Sequence, residues 1–286
     1  MPTNEAAMTA ARDLYLDLIK RSLTGALAED NDTVLGGARS RGTGSVLKRA
    51  GHTAGRLASR FNLEVAYKRP YDAQQRANGL DWPSRAESMI GLRRMDNIQH
   101  CVETVIADGV PGDLIETGVW RGGACIFMRS ILKAHEVTDR KVWVADSFEG
   151  LPKPNAAVYA ADAGDTHHLW DGLAVGVQQV RHNFERYGLL DDQVEFLVGW
   201  FKDTLPVAPL NQLAVARLDG DMYESTIQAI EVLYPKLSPG GFLIIDDFGS
   251  HASQAGQAIH DYRAQHNITE EIVPIDDFGA YWRKAF

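Results

Sequence analysis

The sequence predicts an α/β protein built on a doubly wound, mostly parallel sheet with an antiparallel edge hairpin. Three observations carry that expectation. After Gly112, short apolar runs alternate with helical stretches, the pattern of parallel strands joined by right-handed crossovers. Several of the runs end in acids or glycines: Glu116-Thr117-Gly118, Asp146-Ser147, Gly199-Trp200, Asp219-Gly220-Asp221 and Asp246-Asp247. Open α/β sheets bind their ligands at such carboxyl ends. The tail, Ile275 to Arg283, reads as a hairpin on the sheet edge.

The elements follow in order. Residues 8–28 read as an amphipathic helix, with Leu14, Leu18 and Leu23 on one side. Residues 32–80 are broken by Gly36-Gly37, Gly42 and Gly44 and made basic by Arg39, Arg41, Lys48, Arg49, Arg56, Arg60, Lys68 and Arg69. This segment is either a solvated surface run or a lid or arm reaching a neighbouring subunit. The chain therefore divides into an N-terminal helix with a basic lid or arm, residues 1–80, and a main domain, residues 81–286. Asp81-Trp82-Pro83-Ser84 is a turn that opens a helix, and Ser84 with Glu87 matches a capping box. Ile98, Cys101, Val102 and Val105 then repeat at helical spacing. Strands are expected at 113–117, 142–146, 194–198, 214–218 and 242–246, and helices at about 122–134, 173–187, 224–236 and 253–266.

Composition narrows the function classes. A chain of 286 residues with 45% hydrophobic and 23% charged residues can bury a sizeable core. Its net charge of −9 argues against nucleic acid as a partner. Cys101 and Cys125 both fall in predicted helices, so no disulfide framework is expected and a reducing cytoplasm suits the chain. The start lacks the pattern of a signal peptide, and no apolar run is long enough to span a bilayer.

The strand ends carry the chemistry. Glycines after Glu116 allow close approach of a ligand to the backbone, but the spacing is not G-x-G-x-x-G, which disfavours a nicotinamide oxidoreductase. Glu116 would repel a pyrophosphate and would suit the ammonium of an amino-acid moiety. Asp146, at the tip of the second strand, suits a ribose diol. Trp200 and Phe201 beside Gly199 suit an adenine face. Asp219, Asp246 and Asp247, on what should be adjacent strands, would crowd like charges together, and a hard divalent cation such as Mg²⁺ relieves that.

Five segments sharpen the reading: LIETGVWRGGAC from Leu114, VWVADSFEGLP from Val142, YGLLDDQ from Tyr187, GWFKDTLP from Gly199 and RLDGDMY from Arg217. Together they closely resemble the macrocin O-methyltransferase family, from about Trp82 to Arg283. The resemblance implies a class I methyltransferase fold of the Rossmann-like type, S-adenosylmethionine and Mg²⁺ as cofactors, a sugar hydroxyl of a macrolide or aminocoumarin antibiotic as acceptor, and a homodimer or homotetramer. By position it implies that Glu116, Thr117 and Gly118 hold the methionine end, that Asp146 takes the ribose, and that Ser147, Gly199 and Trp200 line the adenine. Met89, in Ser88-Met89-Ile90-Gly91, would close over the sulfonium. Asp219 would border the cofactor and join Asp246 and Asp247 as metal ligand. His167 matches the histidine of the family's acceptor loop. After Asp247 the run Phe248-Gly249-Ser250-His251-Ala252-Ser253 departs from the family pattern on the acceptor side.

The expected chemistry is in-line methyl transfer to an oxygen that two neighbouring hydroxyls present by chelating the metal. Asp219 is the first candidate for the base and His167 the second. A catechol-like diol would chelate equally well and is the alternative acceptor. A non-catalytic cofactor-binding scaffold would show a broken acid cluster, and here the cluster is complete.

Overall fold

The computed structural model describes residues 4–34, 57–58, 60–61, 63, 65–249 and 253–285. Its main sheet has seven strands: β3 (Asp113–Thr117), β4 (Val142–Asp146), β5 (Val194–Val198), β6 (Leu213–Leu218), β7 (Leu237–Ile245), β8 (Val273–Pro274) and β9 (Ala280–Arg283). Their spatial order is β5-β4-β3-β6-β7-β9-β8. The first five pair in parallel, while β9 runs antiparallel to both β7 and β8. The strand order reverses between β3 and β6, so the crevice there is the topological switch point where ligands sit.

The central strands bury mostly apolar side chains on both faces, because helices cover both. Leu114, Val144, Val215 and Ile244 point into one core with Ile98 and Val102 of the helix Gly91–Ala107 and with Ile126 and Phe127 of the helix Gly123–Ala134. Ile115, Trp143, Ala216 and Leu243 point into the other, with Ile227 and Ile230 of the helix Tyr223–Leu233 and Ile259 of the helix Gln254–His266. Cys101 and Cys125 are free and buried on helices, as expected.

Three expectations are corrected. The N-terminal helix spans Asn4–Leu23 and stops short of residue 28, and Leu14 and Leu18 face outward. Leu16 and Leu23 are the side chains it buries, because it docks on the helix Gly123–Ala134. Ser84 caps no helix: its hydroxyl donates to Asp30 Oδ1 at 2.6 Å, and the helix begins only at Gly91. Glu87 instead accepts from Arg186 and from the Tyr187 hydroxyl, both at 2.9 Å. Finally, the stretch expected as a helix over 173–187 is helical only over Val177–Arg186.

Most of the basic stretch within residues 32–80 lies outside the described residues. Its described ends form a second, two-stranded sheet, β1 (Asp32–Val34) against β2 (Ala66–Lys68). Buried Arg76 ties them down by donating to the carbonyls of Thr24 and Asp30 and to the Asp81 carboxylate. Asp30 then accepts the Arg85 and Ala86 amides, so the N-terminal region braces the turn that leads to Met89.

Candidate active site

Strand register brings the charged groups together. Glu116 on β3 pairs directly with Arg217 on β6, and Arg217 with Ile244 on β7. Residues two apart on a strand share a face, so Asp219 and Asp246 lie on the same side as Glu116 and Arg217, at the carboxyl edge. The Arg217 guanidinium is buried among three of these acids. It donates to Glu116 Oε1, to Asp219 Oδ2 at 2.8 Å, and to Asp246 Oδ1. Arg94, from the helix Gly91–Ala107, donates to the other oxygen of Asp246 at 2.8 Å and to Asp276 in the edge hairpin at 2.9 Å. Cys125 gives its thiol to the free oxygen of Glu116 at 2.9 Å.

Asp219, Asp246 and Asp247 each offer an oxygen within 4.8 Å of the others. Burial and the neighbouring charge of Asp246 push the Asp219 carboxyl well above the ordinary range, and burial with Asp221 and Asp246 does the same to Asp247. Burial would also raise Asp246, but Arg217 and Arg94 outweigh it and hold that carboxyl low. Asp221, in a left-handed backbone conformation with φ 57°, is pushed up to about 8, by burial first and then by Asp219 and Asp246.

These acids line one wall of a cavity of about 440 Å³. Met89, Glu116, Gly118, Asp146, Ser147 and Trp200 line the same cavity, as does His167. Thr117 and Gly199, expected beside them, do not line it. Thr117 is buried with its hydroxyl toward the Arg217 carbonyl, and Gly199 gives its amide to the Asp146 carbonyl. Asp146 also joins two loops, accepting the Val119 amide at 2.8 Å and the Phe148 amide at 2.7 Å.

Three contributors escaped the sequence reading. Arg217 stood inside a quoted motif without a role, although a lone arginine within the strand Leu-Ala-Val-Ala-Arg-Leu, matched by Glu116 in a second buried strand, is a usable signal. Arg94 gave no signal, since a charge on a helix usually faces solvent. Asp162, fully buried, accepts the Tyr223 and Glu224 amides at 2.8 and 2.9 Å and so caps the helix after Asp221 from a distant loop.

The family model described as macrocin-O-methyltransferase (TylF) matches residues 12–284. The chain belongs to this family. It is an O-methyltransferase, and its doubly wound sheet is the class I, Rossmann-like methyltransferase fold. Over 274 residues, 96% of this chain and 93% of the relative, it is 52% identical to the 8-demethyl-8-(2,3-dimethoxy-alpha-L-rhamnosyl)-tetracenomycin-C 4'-O-methyltransferase of Streptomyces olivaceus. It is 47% identical over 276 residues, 96% of this chain and 97% of the relative, to the mycinamicin III 3''-O-methyltransferase of Micromonospora griseorubida. Among solved structures, that of the O-methyltransferase NovP superposes with a TM-score of 0.81 at 44% identity, covering 96% of this chain and all of that one.

Within this methyltransferase, Gly118 marks how tightly the two central strand ends meet. Its φ is 86°, and a Cβ there would lie 1.6 Å from the Asp219 carbonyl oxygen. Gly118→Ala is therefore expected to force β3 and β6 apart at the cavity. A lowered melting temperature and weakened S-adenosylhomocysteine binding by calorimetry would register it, and wild-type values for both would refute it.

Proposed function

We propose that this O-methyltransferase moves the methyl group of S-adenosylmethionine to a sugar hydroxyl of a glycosylated natural product, with Mg²⁺ held by Asp219, Asp246 and Asp247. The observation that carries the reading is the convergence of those three carboxylates on the wall of the cavity that Glu116, Gly118 and Asp146 also line. The relatives' sugar-bearing acceptors support the substrate class.

The donor set fits a hard divalent ion. Glu116, Asp219, Asp221, Asp246 and Asp247 crowd the cavity wall, and among the described residues two guanidinium groups, those of Arg94 and Arg217, meet them. Burial first and mutual repulsion second push Asp219, Asp221 and Asp247 upward, whereas Asp246, held by two arginines, is lowered. Asp246 keeps lone pairs beyond its two arginine contacts, since a carboxylate offers about four acceptor positions. Bound there, the ion would supply chelation of two acceptor oxygens and a lowered hydroxyl pKa.

The chain's own residues do the remainder. Glu116 receives the ammonium of the donor, Asp146 the ribose hydroxyls, and Trp200 with Ser147 the adenine. Met89 covers the sulfonium end. Asp219 is a ligand whose Oδ2 Arg217 already engages. His167, whose Nδ1 engages Asp165 and whose Nε2 has no hydrogen-bond partner among the described residues, is the better placed to receive a proton. A catechol-like diol remains the competing acceptor. A homodimer or homotetramer and a cytoplasmic setting are part of the same proposal; no described helix is long and apolar enough to cross a membrane.

A chelator is expected to abolish turnover of mycinamicin III or of the rhamnosyl tetracenomycin substrate, and Mg²⁺ or Mn²⁺ to restore it. Anomalous scattering from Mn²⁺-soaked crystals should peak between the three aspartates. Full activity in chelator, with no such peak, would remove the metal from the proposal.

A further inference from the structure

We infer that Asp165 is a positioning residue for His167, fixing its imidazole as the Nδ1–H tautomer so that Nε2 is the nitrogen presented to the acceptor hydroxyl. The inference rests on the methyl-transfer reading above and adds to it a residue that neither the motif nor the metal cluster contains.

The geometry is that of a buried acid serving a half-open ring. The Asp165 side chain is only 2% exposed, whereas that of His167 is 35% exposed on the cavity. Asp165 Oδ1 accepts the His167 amide at 2.8 Å, and Oδ2 lies 2.7 Å from His167 Nδ1. Gln254 adds a longer donor to the same Oδ2, at 3.3 Å. A buried carboxylate is an acceptor only, so Nδ1 must carry a proton, and in a neutral ring that leaves Nε2 with its lone pair. Trp170 stands edge-on to the ring with centroids 4.9 Å apart, which restrains its plane.

The loop around this pair is fastened to both acid-bearing strand ends. Asp162 pins it to the helix that follows Asp219 and Asp221. Asp165, through Gln254, pins it to the helix that follows Asp246 and Asp247. The Asp165 charge is felt at Asp221, which places the pair beside the reacting wall. His167 is thus held in register with the acids by polar links to the two helices that follow them.

In the reaction, His167 Nε2 takes the hydroxyl proton as that oxygen bonds the methyl carbon and the carbon–sulfur electron pair returns to sulfur. The ring becomes an imidazolium beside Asp165, which stabilises it, and the proton then leaves through the exposed part of the ring.

The test is a double-substitution cycle with a spectroscopic control, using mycinamicin III and the rhamnosyl tetracenomycin substrate as acceptors. His167→Gln should lower kcat by about 10²-fold, the scale of general-base catalysis. Asp165→Asn should lower kcat by roughly tenfold or more for the same reason, with KM for S-adenosylmethionine and Mn²⁺ affinity unchanged. In the His167→Gln background, Asp165→Asn should cost nothing further, because the two act as one unit. The ¹⁵N spectrum of wild-type enzyme with S-adenosylhomocysteine, assigned by loss of signal in His167→Gln, should show the Nδ1–H form. An Nε2–H ring in the wild type, or an equal cost of Asp165→Asn with and without His167, overturns the proposal. Absence of wild-type turnover on both acceptors would count against the methyl-transfer reading, while the spectrum still decides the tautomer.

Discussion

Asp219→Asn is expected to abolish methyl transfer while S-adenosylhomocysteine still binds. The substitution keeps the size of the side chain and removes its charge. The Arg217 guanidinium keeps Glu116 and Asp246 as partners, so the β3–β6 seam should hold. What disappears is one of three converging anionic oxygens. A metal acting as Lewis acid contributes several kcal/mol at the transition state, and each 1.4 kcal/mol is a factor of ten, so turnover should fall by about 10³-fold. Single-turnover kinetics measures that fall, and calorimetry with S-adenosylhomocysteine separates it from cofactor loss. If cofactor binding vanished with activity, Asp219 would belong to the donor's subsite and the metal role would pass elsewhere.

How legible the site was depended on how far apart in sequence its partners lie. β3, β4 and β5 came out at their observed limits because each is a short, largely apolar or β-branched run closed by a charged or glycine-rich turn. The convergence of Asp219, Asp246 and Asp247 was legible for the same reason: they follow directly on β6 and β7, and neighbouring strands of a parallel sheet bring their ends together. Arg94 meets Asp246 across 152 positions and Asp162 meets Tyr223 across 61, so no local pattern announces either. The capping box at Ser84 failed through the same blindness. Its residues are of the right types at the right spacing, but Asp30, 54 positions earlier, claims the hydroxyl. The N-terminal helix misled differently. Leu14, Leu18 and Leu23 set the expected face; Leu23 is buried as expected, but the surface offered by the helix Gly123–Ala134 takes Leu16 in place of Leu14 and Leu18.

The other large effect concerns stability. Arg217→Met should destabilise the protein by about 3–5 kcal/mol, the cost of stranding buried charge after losing its partner. Arg217 is 1% exposed at the middle of the sheet, and Glu116, 2% exposed, has only Cys125 besides it among the described residues. At this chain length each kcal/mol shifts the melting temperature by roughly 2–4 °C, so a fall of about 10 °C is expected by calorimetry. Arg217→Lys should recover little. An ammonium is a compact point charge, and it cannot reproduce the planar fork that reaches Glu116, Asp219 and Asp246 together. Adding Glu116→Gln to Arg217→Met should recover part of the loss, because the most deeply buried of the three acids is then neutral. A near-wild-type melting temperature for Arg217→Met would mean that these carboxyls are already protonated in the free enzyme. The guanidinium would then be a spectator, and the picture of an ionised acid cluster waiting for a cation would fail with it.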